Sequence, residues 1–417
     1  MSSKHYDIAI AGGGMIGTSL AIALAPLGLR VAMVEAIPRK AAAQPSFDDR
    51  STALSRSTQR MFEALGLWPR IAAASTPIRS IHVSDQGRFG FSHIDAAEQE
   101  VEALGYVVIN RVLGAVLQDA LDALESVDVI CPARITAVEL APGGATAVLD
   151  LAEGKQQSLS CDLLIAADGA NSAVREMMGI TAQKSSYGQR AVIGNLLPEK
   201  DIENVAYERF TRHGPLAVLP IANGRAAFVW TVSEDDAERV MALGDDAFLD
   251  ELQQQFGFRL GTFSKVGKRA SYPLVLSKAL RVTATRSVLI GNSAHGLHPV
   301  SAQGFNLGMR DVAAMVDCIA DASIWRKSPG HSESDGAAIA AMLERYASWR
   351  RADQKKLVRF TDGLVKLFGS QRPPLRVLRN IAMLGFDLVP GVRSVFAKHT
   401  MGLAGRLPRL SRGVPVK

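Results

Sequence analysis

A chain of 417 residues, 47% hydrophobic and 21% charged, is long enough to bury a large core and suggests two or three folding units of a globular enzyme. Its three cysteines, Cys131, Cys161 and Cys318, stand far apart with no C-x-x-C pair, so neither a zinc site nor a disulfide framework has support, and a reducing cytosol is the simplest setting. The net charge of +6 is uneven: residues 350–417 hold 15 basic and 3 acidic side chains, while 32 basic and 38 acidic ones leave residues 1–349 negative. Such an asymmetry suits an anionic partner, either a lipid surface or nucleic acid.

In chain order, a short strand over 6–11 leads into a glycine turn, a small-residue helix over 18–27 and a second strand over 30–35, which together make one β-α-β unit. The apolar stretch 8–34 is not expected to be an export signal or a membrane span. It contains four glycines before Thr18, breaks at Pro26 and Gly28, lacks a basic n-region and closes on Glu35. A helix is predicted near 58–65, then alternating segments 80–84 and 89–94 around Gln86-Gly87, which read as a β-hairpin set into the first domain. A helix over 111–124 precedes strands near 127–131, 135–140, 145–151 and 163–167. From 187 to 272 the strands lengthen, as at 226–232, around one polar helix near 235–256. The strand 287–290 and the apolar helix 304–320 return to α/β character, so the first domain is discontinuous. Residues 328–336 are polar and linker-like; the chain beyond them is helical and basic, divided by Pro373-Pro374 and Pro390-Gly391.

Three motifs carry chemistry. In Gly12-x-Gly14-x-x-Gly17, the first glycine permits a tight turn, the second lets a pyrophosphate approach the backbone and the third lets helix and strand pack closely. The helix start offers N–H donors, and Glu35, ending the next strand, can hold adenosine ribose hydroxyls. This unit alone does not choose between NAD and FAD. The second motif, Asp168-Gly169-Ala170-Asn171-Ser172-Ala173-Val174-Arg175, reads locally as a strand end with Ser172 as a helix cap. In the third, Gly291-Asn292-Ser293-Ala294-His295-Gly296-Leu297-His298-Pro299 runs through Gly304, Phe305 and Asn306 into a helix whose open N-terminal amides can face the pyrimidine edge of a flavin. His295 and His298 have no third ligand nearby, so no metal is expected.

These motifs in this order resemble flavoprotein monooxygenases with one Rossmann-like FAD domain and one substrate sheet, over nearly the whole chain. The combination Gly-Asn, Leu-His-Pro and Gln-Gly-Phe-Asn-Leu-Gly-Met-Arg-Asp, with His82-Val83-Ser84-Asp85 and Phe89-Gly90-Phe91, resembles the FAD-dependent hydroxylases of ubiquinone biosynthesis, in particular the branch acting on 2-polyprenyl-6-methoxyphenols. Asn292 departs from the wider family's aspartate, and Ala302 from its glycine. The resemblance implies an α/β fold of the aromatic-hydroxylase type. Its FAD-binding domain would comprise 1–78, 100–184 and 276–328, with a substrate domain of the hairpin 79–99 plus 185–275 and a basic helical region 329–417. It also implies that Arg50, within the segment 47–55, lies beside the flavin, and that Arg111, with Leu113 and Leu117, begins a cofactor-contacting helix. Asp168, Gly169 and Arg175 would serve FAD and nicotinamide binding, and Asn292, Pro299, Gly304 and Asn306 the ribityl chain and ring. Cofactor contacts are thus expected at Gly12, Gly14, Gly17, Glu35, Arg50, Arg111, Asp168, Gly169, Arg175, Asn292, Pro299, Gly304 and Asn306.

The implied reaction is reduction of the flavin by NADH or NADPH, addition of O₂ to give a C4a-hydroperoxide, and hydroxyl transfer to an electron-rich phenol. No phenol base is identified: His213, Tyr187 and Tyr207 lie in the substrate region but read as structural. An insoluble polyprenyl phenol must be met at a membrane or through a carrier complex. The basic tail, interspersed with Leu364, Leu367, Phe368, Leu384, Phe386, Leu388 and Phe396, suits peripheral binding on the cytoplasmic side of an inner membrane, or a soluble biosynthetic complex. Its plainer reading is a helical cap or subunit interface. No nucleic-acid module accompanies the charge. The rival readings are an FAD-dependent reductase, a halogenase, which the isolated Trp68, Trp230, Trp325 and Trp349 disfavour, a non-catalytic flavin-binding scaffold subunit, and an NAD-dependent dehydrogenase that would leave the second and third motifs without a role.

Overall fold

The structure is a computed structural model that describes residues 4–38, 50–86, 91–296, 303–322, 324–326, 333–369 and 396–416. The elements through the first half are β1 (Lys4–Ala11), α1 (Met15–Leu24), β2 (Val31–Val34), β3 (Ser51–Ser55), α2 (Arg56–Ala64), α3 (Trp68–Ala72), β4 (Ser75–Ile78), β5 (Ser80–Asp85), β6 (Phe91–Asp95), β7 (Gly105–Ile109), α4 (Asn110–Asp122), β8 (Val127–Ile130), β9 (Ala133–Ala141), β10 (Gly144–Leu151) and β11 (Gln156–Ala166). They continue as α5 (Ala173–Met177), β12 (Ala182–Pro198), β13 (Val205–Thr211), β14 (Gly214–Pro220), β15 (Ala226–Ser233), α6 (Glu234–Ala242), α7 (Asp245–Phe256), β16 (Phe263–Val266), β17 (Ala270–Ala279), β18 (Thr283–Ala284), β19 (Ser287–Leu289), β20 (His295–Gly296), α8 (Gln303–Ala322) and α9 (Glu333–Gly369).

Near-continuous apolar runs make the central strands of the first sheet, ordered β18-β19-β11-β1-β2-β8, with β10 and β9 branching from β11 as an antiparallel flap. β1 runs parallel to both neighbours, in register Tyr6↔Cys161 and Ile8↔Val31. Strands buried on both faces need no polar alternation, which is why residues 8–11 and 31–34 are apolar throughout and fully buried. Helices α1 and α8 close one face. Gly308 makes their contact possible, since a Cβ there would lie 2.8 Å from Ile16 Cδ1.

The second sheet, ordered β20-β17-β12-β15-β14-β13-β5-β6 with β16 beside β12, contains the predicted hairpin: β5 pairs antiparallel with β6 and parallel with β13. One face packs Val192, Leu216, Val218, Phe228, Trp230 and Val232 against α6 and α7. Phe248 of α7 meets Trp230 edge-on at 5.6 Å, a geometry that adds about 0.5–1.5 kcal/mol to the area it buries. A small sheet, β3-β7-β4, joins the two halves.

Two expectations are corrected. The single polar helix near 235–256 is two, because Leu243 and Gly244 are extended (ψ 142° and 161°) and each helix begins on its own acidic turn, Glu234-Asp235-Asp236 and Asp245-Asp246, where the helix dipole favours carboxylates. The linker-like stretch ends earlier than expected, since Glu333 already opens α9. Pro373-Pro374 and Pro390-Gly391 lie outside the described residues. Residues 396–416 fold back on the first domain: Ser57 N donates to Met401 O at 3.0 Å, and Arg409 pairs with Asp317 at 2.8 Å and with Asp321 at 2.7 Å.

Candidate functional site

The carboxyl ends of the parallel strands meet at one edge of the first sheet. There Gly12 N donates to Val34 O (2.8 Å), Glu35 N to Ile130 O (3.1 Å), Ala167 N to Ala11 O (2.7 Å) and Ile290 N to Ala166 O (3.0 Å). These bonds carry the ladder one residue further and set Gly12, Glu35, Asp168 and Gly291 side by side, at the edge where open α/β sheets bind ligands.

The glycines divide the labour. Gly12 has φ +102°, and a Cβ on it would sit 2.6 Å from the Ala167 carbonyl oxygen; a Cβ on Gly17 would sit 1.9 Å from Gly12 O. A Cβ on Gly14 would meet nothing within 4 Å, and Gly14 caps α1 without any side-chain bond to its free amides. Two glycines are used up in packing and the third leaves an open approach to a helix N-terminus, as a pyrophosphate requires. Glu35 accepts from Gly13 N (2.6 Å) and Ile37 N (2.7 Å), one to each carboxylate oxygen, leaving each a further lone pair for a ribose hydroxyl.

Asp168 accepts from Val174 N through Oδ2 at 3.1 Å, while its buried Oδ1 has no partner among the described residues. Burial raises its pKa, opposed by the bonds from Ser172 and Val174. A buried carboxylate oxygen left unmatched beside the glycine turn is a place for a donor from a bound group. Gly169 (φ +88°) leaves open space beside it. Arg175, 2% exposed, donates Nη1 to Ala170 O (3.2 Å) and Ser293 O (3.1 Å). Its guanidinium therefore ties the 168–172 loop to the 291–293 turn.

Asn292 is exposed on that turn, whose first residue, Gly291 (φ +61°), packs against Ile16 of α1. Gly304 leaves open space in the first turn of α8. Asn306, by contrast, is buried and acts as a clamp: it accepts from Ser55 N (2.8 Å) and Thr58 Oγ1 (2.8 Å) and donates to Ala53 O (2.9 Å). Arg50 and Arg111 lie near one another, Asn110 N donating to Arg50 O at 2.8 Å, with Arg111 exposed in the first turn of α4. Pro299 and His298 lie outside the described residues. His295 is engaged behind the site, its Nε2 2.6 Å from Asp311 Oδ2.

Asp311 is the hub of a charge network that sequence reading missed. It also accepts from Gly291 N (2.9 Å) and Arg350 Nε (2.6 Å), and Asp353 in turn bonds Arg350 and Arg310. Although burial opposes it, His295 and Arg350 hold the Asp311 carboxyl well below the usual carboxylate range. The apolar-helix pattern of α8 gave the only signal, an Arg310-Asp311 pair among residues that should face a core.

The second face of the large sheet turns to the first domain. Ala206, Leu219 and Ala227 pack there against Ala53, Ile78 and Val107 of the first domain, and Arg50 lies over the Tyr272 ring at 5.0 Å. Between these contacts an in-register row, Val83–Glu208–Ala217–Val229–Ile193, crosses five strands, each residue half-buried. Of the residues held as structural, Tyr207 lies on the other face, edge-on to Phe256 at 5.6 Å. His213 sits in the β13–β14 turn, where its ring accepts from Arg212 Nε at 2.9 Å. Tyr187 falls in the register shift of β12 between Ser186 and Arg190.

A dinucleotide-type strand edge on one sheet and a second large sheet packed on the same domain are the parts of an FAD-dependent aromatic hydroxylase. The comparisons agree. The FAD binding domain family model matches residues 5–361. Ubiquinone hydroxylase UbiL of Rhodospirillum rubrum is 34% identical over 100% of this chain and 94% of its own length. The 3-demethoxyubiquinol 3-hydroxylase of Escherichia coli is 31% identical, covering 97% of this chain and 100% of its own. Among solved structures, p-nitrophenol 4-monooxygenase from Pseudomonas putida superposes with a TM-score of 0.80 at 18% identity, over 97% of this chain and 100% of the other, which shows the shared fold. The chain belongs to the FAD binding domain family of monooxygenases and, within it, to the FAD-dependent ubiquinone hydroxylases.

Proposed function

We propose that this chain hydroxylates the aromatic ring of a polyprenylated phenol in ubiquinone biosynthesis, using FAD, NADH or NADPH and O₂, and that its substrate is a 2-polyprenyl-6-methoxyphenol. The observation that carries the reading is the nucleotide edge of the first sheet, accompanied by a second sheet whose half-buried row lies on the face that packs on the first domain. Bound FAD would supply the redox chemistry and the activated oxygen. The amides of α1 beside Gly14 would hold the pyrophosphate and Glu35 the adenosine ribose, with Gly12 and Gly17 shaping the turn. Asp168 and Gly169 would face the cofactor from β11, held in place by Arg175. Asn292 and the open start of α8 at Gly304 would face the ribityl chain and ring with Pro299, while Asn306 fixes that helix and Arg50 and Arg111 border the far side. The amide at 292 offers hydrogen bonds without a negative charge. The apolar row would orient the phenol and exclude water.

The purified protein should show flavin bands near roughly 370 and 450 nm. A short-chain 6-methoxy-2-prenylphenol should stimulate NAD(P)H oxidation and yield a product heavier by one oxygen. Flavin without that product would point to a reductase or a scaffold subunit, and a folded protein without flavin would refute the cofactor assignment.

We further propose that the basic tail docks peripherally on an anionic membrane surface or biosynthetic complex. No helix among the described residues is long and apolar enough to cross a membrane. Part of the tail's charge is already spent within the fold, Arg350 on Asp311 and Asp353, Arg409 on Asp317 and Asp321. Deleting residues 350–417 would therefore strip a buried ion pair from the core. Replacing Lys366, Arg372, Arg376 and Arg379 with Gln leaves Arg350 and Arg409 in place. It should lower co-sedimentation with phosphatidylglycerol vesicles, each basic residue being worth roughly 1 kcal/mol at such a surface; unchanged sedimentation would exclude the lipid role.

A further inference from the structure

Glu208 is the one ionisable residue in the row Val83–Glu208–Ala217–Val229–Ile193. Its place follows from strand alternation. Along β13, Tyr207 turns to the α7 side, whereas Ala206 packs on the first domain with Ile78 and Val107; Glu208, two residues on, shares the face of Ala206. Its neighbours across the strands, Val83 and Ala217, are apolar. This face presents Asp85, in register with Phe210 at the end of β5, and Arg50 lies across the sheet over Tyr272; α9, which also contacts β14, carries Arg351 and Lys355. No described hydrogen bond or ion pair occupies the carboxylate, and burial alone pushes its pKa up to about 7. A carboxylate held without a structural partner on an otherwise apolar face costs stability, and its place on the face that turns to the nucleotide-binding domain suits it to a polar group on a ligand.

We infer that Glu208 is the catalytic base that takes the proton of the phenol hydroxyl. This rests on the phenol-hydroxylase reading above. The O–H bond breaks, the proton passes to a Glu208 carboxylate oxygen, and the electron pair stays on the phenolate oxygen, where it enriches the ring carbon to be hydroxylated. Once the new C–O bond has formed, the ring carbon loses its hydrogen to water as a proton and the carboxylic acid returns its proton to the original oxygen, which regenerates the carboxylate. A base with a pKa near the working pH is suited to both transfers.

The test compares the wild-type protein, Glu208→Gln and Glu208→Asp, scoring hydroxylated short-chain 6-methoxy-2-prenylphenol by mass, with flavin content confirming that each is folded. Wild-type kcat/KM should rise with pH on a limb near 7. Glu208→Gln should lose that limb and fall about 10²–10⁴-fold, while Glu208→Asp keeps the limb at a reduced rate. With a fluorinated phenol already ionised at pH 6, the wild-type limb should vanish and most of the Glu208→Gln defect with it. A Glu208→Gln variant that keeps the wild-type rate and limb overturns the inference. So does a wild-type limb that persists with the ionised phenol, a result that needs no variant to fold. Absence of product from the wild-type protein itself would instead overturn the reading on which the inference rests.

Discussion

Gly14 and Gly17 lie three residues apart and should respond to substitution in opposite ways. A side chain at Gly14 meets no protein atom within 4 Å, so Gly14→Val should leave the apoprotein's melting temperature nearly unchanged and abolish flavin retention; normal flavin content in the purified variant would refute pyrophosphate binding there. At Gly17 the intruding Cβ would lie 1.9 Å from the Gly12 carbonyl oxygen, so Gly17→Ala should destabilise the apoprotein itself by about 1–3 kcal/mol in denaturant titrations, as overpacking does. Both glycines were legible as a motif. Which one guards the ligand and which one guards the fold was not, because that depends on what the rest of the chain brings within reach. Glu208 shows the same limit. The stretch Ala206-Tyr207-Glu208-Arg209-Phe210 reads as an alternating strand, but nothing local says which of its faces is roofed by α7 and which turns to the first domain.

At the scale of elements, α8 is held to β3 and α2 by the single amide of Asn306, which satisfies Ser55 N, Thr58 Oγ1 and Ala53 O together. Asn306→Ala should leave several of these buried groups unmatched and cost at least about 2 kcal/mol of stability. A smaller loss, measured by denaturant titration with and without added FAD, would mean the clamp relaxes. The sequence placed Asn306 in the cofactor segment by resemblance. The structure shows it acting between elements more than two hundred residues apart in the chain, a contact no local pattern encodes. The division of α6 from α7 was legible in principle, since Gly244-Asp245-Asp246 is a helix start, but the polar run on either side hid it.

Across the whole molecule, Asp311 couples the 291–293 turn, His295 of β20 and Arg350 of α9, so the cofactor edge and the C-terminal region share one buried charge cluster. Removing one partner of such a cluster leaves uncompensated charge, and Asp311→Asn should cost about 3–5 kcal/mol. The folded-state pKa values of Asp311 and Asp353 lie below the ordinary carboxylate value. Their stabilisation is therefore complete above the unfolded pKa, near about 4, and is lost as pH falls through the folded values. Wild-type melting temperature should drop steeply below about pH 4, and Asp311→Asn should begin lower and fall less; parallel curves would show that the cluster does not govern acid stability.

The sequence by itself determined the β-α-β unit, the glycine turn with Glu35, the hairpin, the separate second sheet and the family, because these are written in local spacing and in motifs of adjacent residues. Tertiary structure decided that the hairpin joins β13 on the second sheet, that Arg175 Nη1 and the Asn306 amide bond to distant backbone, that Arg350 and Arg409 are drawn inward from a tail that reads as uniformly basic, and that Glu208 lies on the sheet face turned to the first domain. Each of these depends on which distant groups come within a few ångströms, and burial makes such pairings far stronger than sequence proximity can indicate.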